Sequence, residues 1–112
     1  MARRNRPAPD NLPRPHHWAD DAACRGVATA VFFPTGTAGV ATKIEAAYAK
    51  TFCAGCPVTA SCLTHALTNG EAYGVWGGLD EDERAEMVRK ARLEAERRRR
   101  REREQARGKA VA

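Results

Sequence analysis

Nowhere in these 112 residues is there a run approaching the roughly 18 consecutive apolar side chains that a membrane-spanning helix needs. The basic start also lacks the apolar core of a secretory signal, so a cytoplasmic protein is expected. No segment makes a convincing strand, which removes the βαβ setting that a thioredoxin-like oxidoreductase requires, and no internal repeat is visible. The ends lack core-forming residues. The first 17 residues carry four arginines, four prolines and no apolar run, and the chain beyond about Val88 is arginine and glutamate with a little alanine. What remains is about 70 residues, a size at which a small scaffold usually needs a staple, a metal or a partner to hold one fold.

Charge is unevenly divided. Residues 1–14 sum to +3, residues 15–88 to −5 and residues 89–112 to +7, within a total of +5. Three segments follow: a basic, proline-rich tail over 1–17, a compact acidic domain over 18–88, and an arginine-rich tail over 89–112.

Within the domain the patterns are helical. WADDAAC, residues 18–24, predicts a short helix that Gly26 ends, and residues 27–39 read as a loop. Thr42 and Glu45 form a capping-box pattern, with Ile44, Ala47 and Tyr48 marking the inner face of a helix that runs to about Phe52. Pro57 suits the first turn of a third helix, in which Val58, Cys62, Leu63, Ala66 and Leu67 fall at helical spacing and Asn69-Gly70 is the stop. Residues 73–78 are too rich in glycine for a helix and predict a tight turn. Asp80 with Glu83 is a second capping box, opening a helix with Met87, Val88, Ala91 and Ala95 roughly on one side. Beyond these the helix has no apolar face, though Glu94 with Arg98 and Glu96 with Arg100 sit in the favourable i,i+4 order.

The four cysteines, Cys24, Cys53, Cys56 and Cys62, are the obvious staple, spaced C-x28-C-x2-C-x5-C. In a reducing compartment such a cluster is more often a metal site or a redox pair than a set of permanent disulfides. A structural zinc site normally shows two short pairs, and only one is present here. A C-x-x-C oxidoreductase lacks its fold, and a four-cysteine iron-sulfur cluster tolerates irregular spacing. Zinc, redox dithiol and cluster all stay open on spacing. His65 would extend the run to C-x2-C-x5-C-x2-H, but four cysteines already complete a site, so it reads as a solvated helix residue; His16 and His17 read as surface residues.

Two motifs in order narrow the choice. AACRG at Cys24, the run CAGCPVTASC with the other three cysteines, and GVWGG at 74–78 together resemble the WhiB-like family, over residues 18–88. The resemblance implies a small all-α domain of about four helices packed around a 4Fe-4S cluster, held by Cys24, Cys53, Cys56 and Cys62, with disordered or extended basic termini. It implies a non-enzymatic transcription regulator that responds to oxygen and nitric oxide; an apo form acting as a disulfide reductase, and a zinc-stabilised DNA-binding module, are the alternatives. It also implies docking on the principal sigma factor of RNA polymerase through Phe32, Phe33, Trp76 and the glycines Gly74, Gly77 and Gly78. Large aromatics in glycine-bounded loops are otherwise costly exposed surface. The +7 balance of the tail points to promoter DNA, with Arg97, Arg98, Arg99, Arg100, Arg101 and Arg103 as the contacts. No Arg-Gly-Arg-Pro core of the AT-hook kind is present, so phosphate or minor-groove contact is expected rather than base readout.

Overall fold

The computed structural model describes residues 11–13, 15–35 and 39–111; most of the expected N-terminal tail lies outside them. Among the described residues there are two 3-10 turns, Trp18–Asp21 and Thr29–Phe32, and three α-helices, α1 Val40–Cys53, α2 Thr59–Asn69 and α3 Glu81–Val111, with no strand. The expected count of about four helices becomes three, because the first segment closes after a single 3-10 turn and leaves Cys24 in the loop behind it. That turn is capped at both ends of its first residues: His17 Nδ1 accepts from the Ala19 N–H and the Asp20 carboxylate accepts from the His17 N–H. The stretch expected as loop holds the second 3-10 turn.

Helix α1 starts at Val40, two residues ahead of the Thr42/Glu45 pattern, since Val40 and Ala41 are helix-competent and Gly39 is extended before them. Its inner face is also not the expected one. Ala46 and Ala49 are buried with Val75, against Val31, Phe32 and Cys53. Ile44 and Tyr48 point outward, 65% and 58% exposed, and Ala47 is exposed too. Helix α2 begins at Thr59, so Pro57 lies just before it, and it ends as expected on Gly70 in the left-handed region.

The capping box that opens α3 forms in full: the Glu83 N–H donates to Asp80 and the Asp80 N–H donates to Glu83. Asp80 is also the hub that ties α3 to α1, accepting from Lys50 at 3.2 Å and Lys43 at 3.4 Å, while Lys50 reaches on to Glu83 and Lys43 to Asp82. Val88 and Ala95 are half-buried, but Met87 and Ala91, expected on the same side, are exposed. The C-terminal tail is neither disordered nor extended: α3 runs unbroken to Val111. Acidic residues in its first turn and Lys109 in its last suit the helix dipole. The side-chain ladder differs from the expected one, with Glu96 pairing to Arg99 and Arg103 instead of Arg100, and Glu86 to Arg89.

A candidate metal centre

The glycine-rich segment folds as a minimal hairpin. Trp76 and Leu79 exchange both backbone hydrogen bonds at 3.0 Å, and the two residues between them, Gly77 and Gly78, both have positive φ, as a type I′ turn requires. A Cβ on Gly77 would lie 2.5 Å from Leu63 Cβ, so the turn presses directly on α2. One on Gly74 would meet the Phe33 ring at 2.7 Å.

The buried guanidinium of Arg84, only 3% exposed, holds this hairpin in place. It donates to the carbonyls of Gly74 at 2.6 Å, Leu79 at 2.9 Å, Glu71 at 3.2 Å and Tyr73 at 3.3 Å. Burial pulls its pKa down, opposed by the charges of Glu81 and Asp80. Sequence reasoning missed Arg84, although a signal was present: a basic residue in the first turn of a helix works against the dipole, and the neighbouring Glu81, Asp82 and Glu83 obey it.

All four cysteines line one cavity of about 540 Å3, between the first 3-10 segment, the ends of α1 and α2, and the hairpin. The other walls are mainly apolar, among them Phe32, Phe33, Phe52, Val75 and Trp76. All four cysteines are free thiols of intermediate burial. Among the described residues no three His, Cys, Asp or Glu side chains form a set that would hold a single metal ion. The thiols thus surround a space instead of closing on one point. Their order around it follows from the local chain: α1 delivers Cys53 at its last residue, and the Thr59 hydroxyl, with one proton to give, lies 2.9 Å from the Cys56 carbonyl and 3.2 Å from that of Cys53, which ties the C-x-x-C loop to the start of α2.

Backbone N–H groups point at the sulfurs. Gly77 donates to Cys62 Sγ at 3.2 Å and Ala23 to Cys56 Sγ at 3.4 Å. Burial pushes the Cys53 and Cys62 thiols up, against the lowering effect of the Gly78 N–H on the first and the Gly77 N–H on the second; neighbouring cysteines add to the rise. Cys56 goes the other way. Burial opposes its ionisation, but the N–H groups of Ala23 and Val58 and the Thr59 hydroxyl outweigh it and hold the thiol below its ordinary value. A cavity with thiol donors on all sides and N–H groups behind the sulfurs suits a group larger than one ion, held by charged thiolates.

The expected partner-binding residues stand around this cavity. Phe33 is on the rim, edge-on to Trp76 at 6.5 Å, and Phe32 lies deeper, edge-on to Phe52 at 5.9 Å. The Trp76 Nε1–H is already used, donating to the Tyr73 carbonyl at 2.9 Å. His65, expected as solvated, stacks on Trp76 instead. The tail arginines from Arg97 to Arg103 are on the exposed distal part of α3, away from the cavity lining.

Comparison with known proteins places this architecture. The family model described as Transcription factor WhiB matches residues 18–87, which carry all four cysteines and the hairpin. The chain is 51% identical to the transcriptional regulator WhiD of Streptomyces coelicolor over 76 residues, 67% of this chain and 68% of that one. It is 43% identical to the redox-responsive transcriptional regulator WhiB3 of Mycolicibacterium smegmatis over 89 residues, 75% of this chain and 93% of the relative. It is 45% identical to the redox- and pH-responsive transcriptional regulator WhiB3 of Mycobacterium tuberculosis over 83 residues, 70% and 81% of the two chains. With the matched segment spanning the whole cysteine-lined cavity and the hairpin that closes it, the chain belongs to the WhiB family of transcription factors.

Proposed function

We propose that this WhiB-family regulator holds a 4Fe-4S cluster on Cys24, Cys53, Cys56 and Cys62, docks on the principal sigma factor, and contacts promoter DNA with α3. The observation that carries the reading is the single cavity that gathers all four thiols, with N–H donors behind three of the sulfurs. When bound, the cluster supplies one-electron redox chemistry and reactivity toward oxygen and nitric oxide. The chain's own contribution is to orient the thiolates, stabilise their charge through Ala23, Gly77 and Gly78, and limit solvent access with Phe32, Phe52, Val75 and Trp76.

Phe32, Phe33, Trp76 and the glycines Gly74, Gly77 and Gly78 form the proposed sigma-docking face, since Phe33 and Trp76 lie at the mouth of the cavity. Arg97, Arg98, Arg99, Arg100, Arg101 and Arg103 are the proposed DNA contacts, being exposed on a helix that stands clear of the domain. The lowered Cys56 thiol beside raised Cys53 and Cys62 favours a second reading for the metal-free form, in which Cys56 is the first nucleophile in thiol-disulfide exchange.

Anaerobic purification with iron and acid-labile sulfide analysis tests the cluster. Equimolar iron and sulfide, with a broad visible absorption that nitric oxide bleaches, is the expected result. A colourless protein with stoichiometric zinc overturns it.

A further inference from the structure

His65 leaves α2 three residues after Cys62 and enters a column of rings. Its imidazole stacks on the Trp76 indole at 5.3 Å and 26°, and lies against the Trp18 indole at 5.6 Å and 52°. Asn69 meets its Nδ1 at 3.2 Å, and the Glu71 carboxylate stands 3.7 Å from Nε2. The column joins three separate parts of the site. Trp18 opens the segment that carries Cys24, His65 sits on the helix that carries Cys62, and Trp76 begins the hairpin whose Gly77 N–H faces the Cys62 sulfur. Trp76 is braced on its remaining sides by the edge of Phe33 and by the Tyr73 carbonyl.

We propose that His65 is a positioning residue for partner docking: its ring binds Trp18 and Trp76 into one aromatic face at the cavity mouth. The Asn69 amide donates to its Nδ1 and to the His65 carbonyl, and the Glu71 carboxylate stands at Nε2, so the ring plane is held between the two indoles. The other charged groups nearby are engaged elsewhere. Asp21 pairs with His16, Asp20 accepts from the His17 N–H, and Arg84 is spent on the hairpin carbonyls; the His17 ring stacks on Trp18 at 5.0 Å. The proposal rests on the reading of Trp76 as a docking anchor.

The test uses the full-length, cluster-loaded protein and the C-terminal region of the principal sigma factor as the probe. Removing the stack with His65→Ala should weaken binding about three- to tenfold, with the cluster spectrum retained. His65→Phe keeps the ring and should restore binding, whereas His65→Gln should not. Tryptophan emission of the free protein should change in His65→Ala and return toward the wild-type spectrum in His65→Phe. Equal sigma binding by wild type and His65→Ala overturns the proposal, as does an equal loss of binding in His65→Phe and His65→Ala. Loss of the cluster in His65→Ala that His65→Phe does not repair also overturns it. If the wild type fails to bind sigma at all, the docking reading has failed, and the emission spectra alone then decide whether His65 orders the two indoles.

Discussion

Asp80 carries more of the fold than any other carboxylate described. Burial opposes its charge, but the Glu83 N–H, Lys50 and Lys43 overcome that and hold its pKa at about 2. The folded value lies below the unfolded one, so the stabilisation is complete above about pH 4 and is lost as the pH falls through about 2. Asp80→Asn keeps the cap and deletes the charge, and should cost about 2 kcal/mol at neutral pH. Denaturant midpoints of the two proteins should draw together below about pH 4 and meet below about pH 2; a gap undiminished at about pH 2 contradicts this. Trp76 gives a second expectation. Trp76→Ala should weaken sigma binding at least about thirtyfold with the cluster retained. Trp76→Phe should lose much less, because the indole N–H is turned to the Tyr73 carbonyl and is not offered to a partner. Loss of iron in both variants would make Trp76 a core residue instead. That the four cysteines meet at one place was legible from sequence, because clustered thiols in a small chain point to a shared site. His65 and Arg84 were not, because their roles depend on Trp18, Trp76 and four carbonyls brought in from other segments.

Among the elements, α1 shows why size was a poor guide to burial. The sequence pattern turns its large side chains Ile44 and Tyr48 inward, yet the buried residues are Ala46 and Ala49, with Cys53 partly buried beside them. Cys53 must face the cavity, and Ala49 at i−4 and Ala46 at i−7 share its face. Phasing the helix by its cysteine instead of its bulkiest residues reads it correctly, and α2, phased through Cys62, was read nearly so. The hairpin was recognised as a turn, but not that Arg84 secures it or that its glycine N–H groups face two sulfurs. Arg84→Gln should destabilise the domain by roughly 3 kcal/mol and release iron faster, because several carbonyls lose a charged donor. Arg84→Lys should recover only part, since an ammonium lacks the planar fork. Thermal melting with iron release measures both, and wild-type behaviour of Arg84→Gln refutes the role. On α3, Glu96 holds Arg99 and Arg103, so Glu96→Gln should free both and tighten DNA binding at low salt. Weaker binding in a filter assay would mean that the ladder orders the helix for contact.

For the whole molecule, the cavity occupies the place of a core. Among the described residues no large side chain is fully buried, and the buried apolar set is three alanines and a valine. Replacing any one of Cys24, Cys53, Cys56 or Cys62 by Ala should therefore abolish stable cluster binding and broaden the thermal transition of the domain. Full iron content with a sharp transition in Cys24→Ala would sink that. Truncation after Val88 removes a segment of +7 from a chain of +5 and leaves −2. If about four to six phosphates are met, the slope of log affinity against log salt should be roughly −4 to −5 for the full chain and near zero after truncation. Affinity unchanged at every salt concentration would reduce the tail to a solvated helix. The same helix has a hydrodynamic consequence. Its 31 residues make a rod about 46 Å long, and the radius of gyration is 20.7 Å where a compact chain of this length has about 13 Å. A single copy should elute from a sizing column well ahead of its 12.2 kDa mass and tumble anisotropically, so early elution is no sign of a dimer.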